Sequence, residues 1–225
     1  MGQPLTLVAA DSHRLGAYRA DPAGKPRGGV VVVQEIFGVN HHIRAVCDRI
    51  AEAGYAALAP ALFDRTARDF QSGYSPEEVA KARKFIETPD WDAMLRDTAA
   101  AAEELKGLGS VAVIGFCMGG TIAFLSATRL AGIAAAVCYY GGGIARFADE
   151  TPKCPTQMHF GEKDDHIPMS AVEEIRRKRP DCEIHVYQGA GHGFHCDERA
   201  SYHAESAALA WKRSLAFLEK AIGKG

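Results

Sequence analysis

Short apolar runs alternate with helical patterns from residue 30 onward, and this alternation is the strongest constraint on the fold. The runs are bounded by glycine, proline or charged residues and cover residues 30–36, 55–58, 111–115, 133–139, 156–160 and 184–187. Predominantly apolar runs of this length are typical of buried strands in a parallel sheet. Helical segments between such strands predict βαβ units. We therefore expect an α/β fold, with a mostly parallel central sheet and helices on both faces.

Two further apolar segments precede this alternation, at residues 5–9 and 15–19, and the polar sequence DSHR lies between them. This pattern predicts an N-terminal antiparallel hairpin on one edge of the sheet. A chain of 225 residues is long enough for one α/β domain with a substantial core and too short for two ordinary domains. We expect residues 1–225 to form a single domain.

Capping boxes mark two helix starts, each a serine followed three residues later by a glutamate. They are Ser75 with Glu78, and Ser170 with Glu173. Between the second apolar run and the first of these helices, residues 61–74 form the longest stretch without clear periodicity. A long ordered loop in a compact domain often borders a functional site.

The composition argues against nucleic acid and membrane partners. Lys and Arg number 26 against 28 for Asp and Glu, so no positive field steers the chain onto nucleic acid or an anionic membrane. No apolar run reaches the roughly 18–20 residues that span a bilayer, and the N-terminus lacks a secretory pattern. Six cysteines without a C-x-x-C pair indicate reduced thiols. We expect a cytoplasmic protein, and a monomer rather than an oligomer.

The sequence VAVIGFCMGGT predicts a strand, a sharp turn and a helix, with Cys117 at the turn. Gly115 and Gly119, two residues before and after, keep side chains away from the crowded bend. This arrangement resembles the turn on which α/β-hydrolases present a serine nucleophile, with cysteine in the serine position. A helix N-terminus and a nearby imidazolium both favour the thiolate that such a nucleophile needs. The alternative is a small buried structural cysteine.

A cysteine nucleophile needs a histidine base and an acid that orients the histidine. The motif GEKDDHIP, after the run at residues 156–160, offers Asp164 and Asp165, and chemistry alone does not choose between them. The motif GAGHGF, after the run at residues 184–187, places His192 between glycines that leave its ring free to approach the nucleophile. The chain thus supplies its candidates in the order nucleophile, acid, base.

We expect neither a metal nor a cofactor. His192, His195 and Cys196 are close in sequence and include two types of metal-ligating side chain. No carboxylate or further ligand accompanies them at a standard spacing. The partner we expect is a small-molecule lactone or ester.

Four motifs, QEIFGVN, GFCMGG, GEKDDHIP and GAGHGF, together resemble the dienelactone hydrolase family, also called carboxymethylenebutenolidases. They stand in the family's order over nearly the whole chain. The family has the α/β-hydrolase fold and a Cys-Asp-His triad. The resemblance implies Cys117 as the nucleophile, His192 as the base and Asp164 as the orienting acid. Asp164, rather than Asp165, has the family's spacing from a preceding glycine and a following proline.

The resemblance also implies roles in QEIFGVN. The backbone N–H groups of Ile36 and Met118 would form the oxyanion hole. Glu35 resembles a family carboxylate that contacts the resting thiol. In the family, substrate binding displaces this glutamate, which then takes the thiol proton and leaves a thiolate paired with histidine. The alternative for Glu35 is a buried acid paired with an arginine.

Thiol chemistry restricts the substrates that we expect. Thiolate is a better leaving group than alkoxide, so an adduct on sulfur collapses back unless the substrate's own leaving group is also good. Enol lactones, which release an enolate, meet this condition. We expect opening of enol lactones of the dienelactone type through a thioester intermediate that water hydrolyses. The alternatives are a carboxylesterase or thioesterase of the same fold, and a non-catalytic redox-responsive thiol protein.

The sequence leaves the substrate-binding residues unassigned. The family grips a substrate carboxylate with arginines, one of them four residues after the catalytic histidine, where this chain has Cys196. Four other arginines are candidates without an assignment: Arg65, Arg68, Arg83 and Arg199. Three aromatic residues are candidates either for the pocket wall or for the core: Phe37, Trp91 and Phe194.

Overall fold

A computed structural model describes residues 2–223, in which eight strands form one mixed sheet. Met1, Lys224 and Gly225, which belong to the expected range 1–225, lie outside the described residues. The strands are β1 Gln3–Val8, β2 Arg14–Ala20, β3 Gly29–Val33, β4 Ala56–Pro60, β5 Val111–Phe116, β6 Ile133–Tyr139, β7 Thr156–Gly161 and β8 Glu183–Tyr187. Their spatial order is β1-β2-β4-β3-β5-β6-β7-β8.

Helices cover both faces of this sheet, as the alternating pattern predicted. They are α1 His41–Glu52, α2 Pro76–Arg83, α3 Trp91–Leu105, α4 Met118–Arg129, α5 Ile144–Phe147, α6 Met169–Lys178 and α7 Ala204–Ile222. Helices α3 and α4 pack against each other over β3 and β5. Helices α1 and α7 meet through the guanidinium of Arg49, which lies over the ring of Trp211.

The N-terminal hairpin is confirmed, because β1 pairs antiparallel with β2 from Gln3 opposite Arg19 to Val8 opposite Arg14. Strand β2 also pairs antiparallel with β4, and every other neighbouring pair is parallel. The fold is therefore the α/β-hydrolase type that the motifs indicated.

Strand β3 is shorter than its apolar run predicted, and it ends at Val33 instead of residue 36. Its pairing with β4 stops at Val31, and its pairing with β5 stops at Val33 opposite Gly115, just before β5 reaches its own turn. The following residues, Gln34 and Glu35, are buried in a loop instead.

Of the two predicted capping boxes, the one at Ser75 is confirmed and the one at Ser170 is wrong. The Ser75 hydroxyl accepts a hydrogen bond from the Glu78 N–H, and the Glu78 carboxylate accepts one from the Ser75 N–H. Helix α6 instead begins at Met169, with Pro168 at the N-cap and no side-chain cap. Proline holds an extended backbone here and starts the helix before Ser170 is reached.

The topology brings the candidate residues to one edge of the sheet. The chain moves from β3 to β4 on one side and then crosses to β5 on the other side of β3. Such a reversal of strand order opens a crevice at the carboxyl ends of the strands. The loops that follow β3, β5, β7 and β8 all begin at this edge, so residues far apart in sequence meet there.

Candidate active site

Cys117 occupies a strained turn between β5 and α4. Its φ and ψ are 55° and −115°, a conformation that residues with side chains rarely adopt. A Cβ on Gly115 would lie 1.9 Å from the Gly119 carbonyl oxygen, and one on Gly119 would lie 2.3 Å from the Val33 carbonyl oxygen. The turn therefore closes only with glycine at both positions, and it carries the sulfur into a cleft.

His192 lies between the sulfur and a buried carboxylate. Its Nε2 is 3.1 Å from Cys117 Sγ, and its Nδ1 is 2.8 Å from Asp164 Oδ2. The other oxygen of Asp164 accepts hydrogen bonds from the backbone N–H groups of His166 and Ile167, at 2.8 and 3.1 Å. These bonds fix the carboxylate, which in turn holds the imidazole so that Nε2 faces the sulfur. Asp165, the other acid of this loop, is exposed.

The electrostatics of this row favour a charged imidazole. Burial by itself lowers the pKa of His192, but the thiolate charge of Cys117 and the hydrogen-bonded carboxylate of Asp164 raise the pKa above its ordinary value. The geometry therefore favours an imidazolium at His192, next to the Cys117 sulfur.

Two aromatic side chains that the sequence analysis did not select hold the His192 ring. Tyr140 and His166 contact it edge to face, with centroid distances of 5.2 and 4.9 Å. Tyr140 is buried at the end of β6 and has a φ of 37°. Burial lowers the pKa of His166, and so does the neighbouring charge of His192. Only their positions in the sequence could have pointed to these two residues. Tyr140 directly precedes GGG, and His166 follows Asp164 by two residues.

Glu35 is paired with an arginine. Only 1% of its surface is exposed, and its Oε1 accepts a hydrogen bond of 3.2 Å from Arg199 Nη1. A hydrogen bond between Glu35 and Cys117 is not among those of residues 2–223. The arrangement matches the alternative that the sequence analysis kept for Glu35. That arginine, Arg199, lies three residues after Cys196, the position at which the family has a substrate-binding arginine.

The cleft above Cys117 has a volume of about 550 Å³, within the range of small-molecule sites. Ile36 and Met118 both line it. Neither of their N–H groups donates a hydrogen bond to another described residue. Both groups are therefore available to an oxygen atom bound in the cleft.

Only some of the arginine and aromatic candidates line the cleft. Arg83 and Arg199 line it, and so does Arg146, which the sequence analysis did not consider. Arg65 and Arg68 instead bind acids elsewhere, Arg65 through Asp11 and Asp97, and Arg68 through Asp64. Among the aromatic candidates, Phe37 and Trp91 line the cleft, whereas Phe194 is fully buried in the core.

A second cleft, of about 410 Å³, lies between the edge of the sheet and α7. Its lining contains no cysteine, serine or histidine: Pro155, Gln157, Glu183, Arg213, Ala216, Phe217, Lys220 and Ala221. It therefore offers no nucleophile or base of the kind that Cys117 and His192 supply. Within residues 2–223, the helices include none that is both long and apolar enough to cross a bilayer.

The fold and this site define an α/β-hydrolase. The model of the dienelactone hydrolase family matches residues 15–222, and the chain belongs to that family. It is 34% identical to a carboxymethylenebutenolidase of Pseudomonas putida, with 95% of this chain and 94% of the relative covered. A Synechocystis protein assigned as a carboxymethylenebutenolidase is 38% identical, with 93% of each chain covered.

A solved structure supports the same conclusion. The crystal structure of a Klebsiella pneumoniae protein described as a dienelactone hydrolase has a TM-score of 0.86 and 30% identity, covering 98% of this chain and 99% of that one. The chain is accordingly a hydrolase that acts on lactone or carboxylic ester bonds. This conclusion disfavours the non-catalytic alternative.

Proposed function

We propose that the protein opens enol lactones, with Cys117 as the nucleophile and a thioester as the intermediate. The observation that carries the proposal is the row of Cys117 Sγ, His192 and Asp164, with contacts of 3.1 and 2.8 Å, at the base of a cleft of about 550 Å³. A nucleophile, a base and an orienting acid at these distances are what covalent acyl transfer needs.

The first half of the proposed reaction forms the thioester. The Cys117 thiolate attacks the lactone carbonyl carbon, and the carbonyl oxygen becomes an oxyanion within reach of the Ile36 and Met118 N–H groups. The adduct then collapses, the ring C–O bond breaks, and the departing enolate oxygen takes a proton from the His192 imidazolium, which becomes neutral. The opened substrate stays attached through sulfur.

The second half restores the enzyme. Neutral His192 takes a proton from a water molecule, and the resulting hydroxide attacks the thioester carbonyl. The C–S bond breaks, a carboxylate product leaves, and the sulfur returns as a thiolate beside the imidazolium. Asp164 keeps the ring in the required orientation through both halves, since its own oxygens are fixed by backbone N–H groups.

A cysteine nucleophile suits enol lactones because the tetrahedral adduct can expel either the thiolate or the substrate's own leaving group. Enolate and activated phenolate groups leave as readily as thiolate, so the adduct collapses to the thioester. Ordinary alkoxides and amines leave less readily, so the adduct reverts to the substrate and the free thiolate. Thioesters and activated esters share the favourable property, which keeps thioesterase and carboxylesterase activity as alternatives for the same residues.

The test is a comparison of Cys117→Ala and Cys117→Ser with the unmodified protein on an enol lactone, p-nitrophenyl acetate and an acyl thioester. We expect Cys117→Ala to lower kcat by at least about 10³-fold on every substrate, because loss of a nucleophile removes covalent catalysis. Cys182→Ser is the matched control, since Cys182 does not line the cleft. Retained turnover in Cys117→Ala would reject the proposed nucleophile.

Mass spectrometry of the rapidly quenched reaction tests the intermediate separately. A lactone that acylates Cys117 loses no fragment, so the protein should gain the whole mass of the substrate at that residue. An ester should add only its acyl group. An adduct on any other residue would contradict the proposal, and the relative kcat/KM values identify which of the three substrate classes is preferred.

A further inference from the structure

Three metal-ligating side chains from two distant segments of the chain meet behind the cleft. They are Glu35 in the loop after β3, His42 in the first turn of α1, and Cys196 in the loop after β8. One ligand atom of each lies within 4.8 Å of the others. All three residues are buried, with exposed fractions of 1%, 1% and 0%. Only the tertiary structure brings them together.

Two of the three residues have buried polar atoms without hydrogen-bond partners. Among the described residues, Glu35 Oε2 and both ring nitrogens of His42 are buried without a partner. Cys196 Sγ contacts the Tyr74 hydroxyl at 3.3 Å. An unpaired buried polar group costs about 1–3 kcal/mol, so the unpartnered Glu35 Oε2 and a ring nitrogen of His42, both close to the Cys196 sulfur, indicate a shared ligand.

The chemistry of these atoms selects the ligand. A carboxylate oxygen, an imidazole nitrogen and a thiolate sulfur together suit Zn²⁺, whereas Mg²⁺ and Ca²⁺ prefer oxygen atoms alone. We propose that Glu35, His42 and Cys196 form a binding site for a thiophilic divalent cation, with Zn²⁺ as the fitting ion. Binding releases the Cys196 thiol proton to solvent, and one thiolate and one carboxylate then balance the charge of the cation.

The surroundings of the three residues agree with this assignment. Arg199 occupies only Oε1 of Glu35, which leaves Oε2 for the cation. His42 Nδ1 lies 3.7 Å from Asp197 Oδ1, too far for a hydrogen bond but placed like the carboxylates that orient metal-bound histidines. This leaves Nε2 of His42 to bind. Three protein ligands leave a fourth position of the tetrahedron for water.

This site stands apart from the proposed reaction, because His42 and Cys196 take no part in it. The two are linked through Glu35 alone. A bound cation would hold Glu35 beside Arg199 and prevent it from approaching Cys117. The cation would then slow any step in which Glu35 takes the thiol proton.

The test uses Co²⁺ and Zn²⁺ with the full chain carrying Cys117→Ala, so that the nucleophile sulfur cannot bind metal. We expect one equivalent of Co²⁺ to bind and to give a thiolate-to-cobalt charge-transfer band, which reports sulfur ligation directly. Zn²⁺ should displace the Co²⁺ and remove the band. Cys196→Ser in this background should abolish the band and weaken Zn²⁺ binding by more than about 100-fold, since even second-shell changes cost about 10- to 100-fold.

His42→Gln tests the second ligand in the same background, and Cys182→Ser is the matched control that should keep the band. Circular dichroism of each variant without metal verifies that it has folded. If His42→Gln fails to fold, the nearly isosteric Cys196→Ser still decides the question. No stoichiometric binding, or binding unchanged by Cys196→Ser, would overturn the proposal and leave the cluster as a site for buried water.

Discussion

Glu35 influences the field at the Cys117 sulfur in two ways that act in the same direction. Its carboxylate neutralises Arg199, to which it is hydrogen-bonded, and its negative charge opposes a thiolate at Cys117. The Cys117 sulfur also lies within the electrostatic reach of Arg199. Both effects of Glu35 therefore act against a negative charge on the sulfur.

Glu35→Gln should make Cys117 react with iodoacetamide at lower pH. The substitution removes a buried negative charge and leaves the Arg199 cation without a counterion, and both changes favour thiolate. We expect the midpoint of alkylation rate against pH to fall by up to about one unit, equivalent to about 1.4 kcal/mol. The measurement is made with a chelator present. Glu87→Gln, at the exposed mouth of the cleft, is the control and should shift the midpoint less. An unchanged or raised midpoint in Glu35→Gln would contradict the expected effect of the Glu35 charge on the thiol.

Arg83 provides a test of substrate charge. It lines the cleft, and no acid within residues 2–223 forms an ion pair with it. Arg83→Gln should raise KM about fivefold for a lactone that bears a carboxylate. This factor corresponds to the loss of one partly solvated ion pair. A neutral lactone should be unaffected. Lys84→Gln is the control, since Lys84 is the next residue but does not line the cleft; equal effects on both lactones would argue against binding of a carboxylate by Arg83.

The residues that sequence reasoning identified are those with a local signature. Cys117 and His192 stand between glycines in motifs that follow apolar runs, and family spacing selected Asp164 over Asp165. Arg199 and His42 have no such signature. Arg199 meets Glu35, and His42 meets Cys196, across more than 100 positions of the sequence, so no local spacing rule could pair them.

At the level of elements, the contact between α4 and β3 has almost no tolerance. Gly119 lies in the first turn of α4, where a Cβ would be 2.3 Å from the Val33 carbonyl oxygen and 2.6 Å from that of Gln34. Gly119→Ala must therefore push the helix away from the strand. We expect a loss of about 1–3 kcal/mol or more in the free energy of unfolding, as in overpacked cores, together with a loss of activity.

Urea unfolding of Gly119→Ala and Gly107→Ala measures this effect. A Cβ on Gly107 would meet nothing within 4 Å, so its substitution should be neutral or stabilise by up to about 1 kcal/mol. Similar stabilities for the two variants would show that α4 can relax away from β3.

The strands and helices also show that sequence patterns do not fix where an element begins or ends. Residues 30–36 were predicted as one strand, because the pattern reports burial and not hydrogen bonding. The structure ends β3 at Val33 and buries the remaining residues against the site. Ser170 fitted a capping pattern, but Pro168 had already fixed the start of α6.

Across the whole molecule, several buried histidines are held neutral. Burial lowers the pKa values of His42, His159 and His195 below the ordinary histidine value of about 6.5. The unfolded chain takes up protons at these residues as the pH falls below about 6.5, and the folded chain does not. The free energy of unfolding should therefore fall with pH below that value, by up to about 1.4 kcal/mol per unit for each histidine.

Urea denaturation at pH 7.5, 6.5 and 5.5 measures this dependence, and His159→Gln isolates one contributor. His159 is fully buried against the Tyr187 hydroxyl and Gln157. Its substitution should lower stability at pH 7.5 but make the fall toward pH 5.5 less steep. His41→Gln is the control, because the pKa of exposed His41 is raised by Glu198. An identical slope in His159→Gln and the unmodified protein would contradict the assignment.

The row of sulfur, imidazole and carboxylate has a consequence for synthesis on the ribosome. Cys117 precedes His192 by 75 positions in the chain, and Asp164 lies in the loop after β7, which is also synthesised after the sulfur. A growing polypeptide therefore exposes its thiol well before any partner for it has been made. With Cys117 and His192 in their proposed roles, hydrolysis begins only after β8 has joined the sheet, and a prematurely terminated product carries the sulfur without the power to cleave esters.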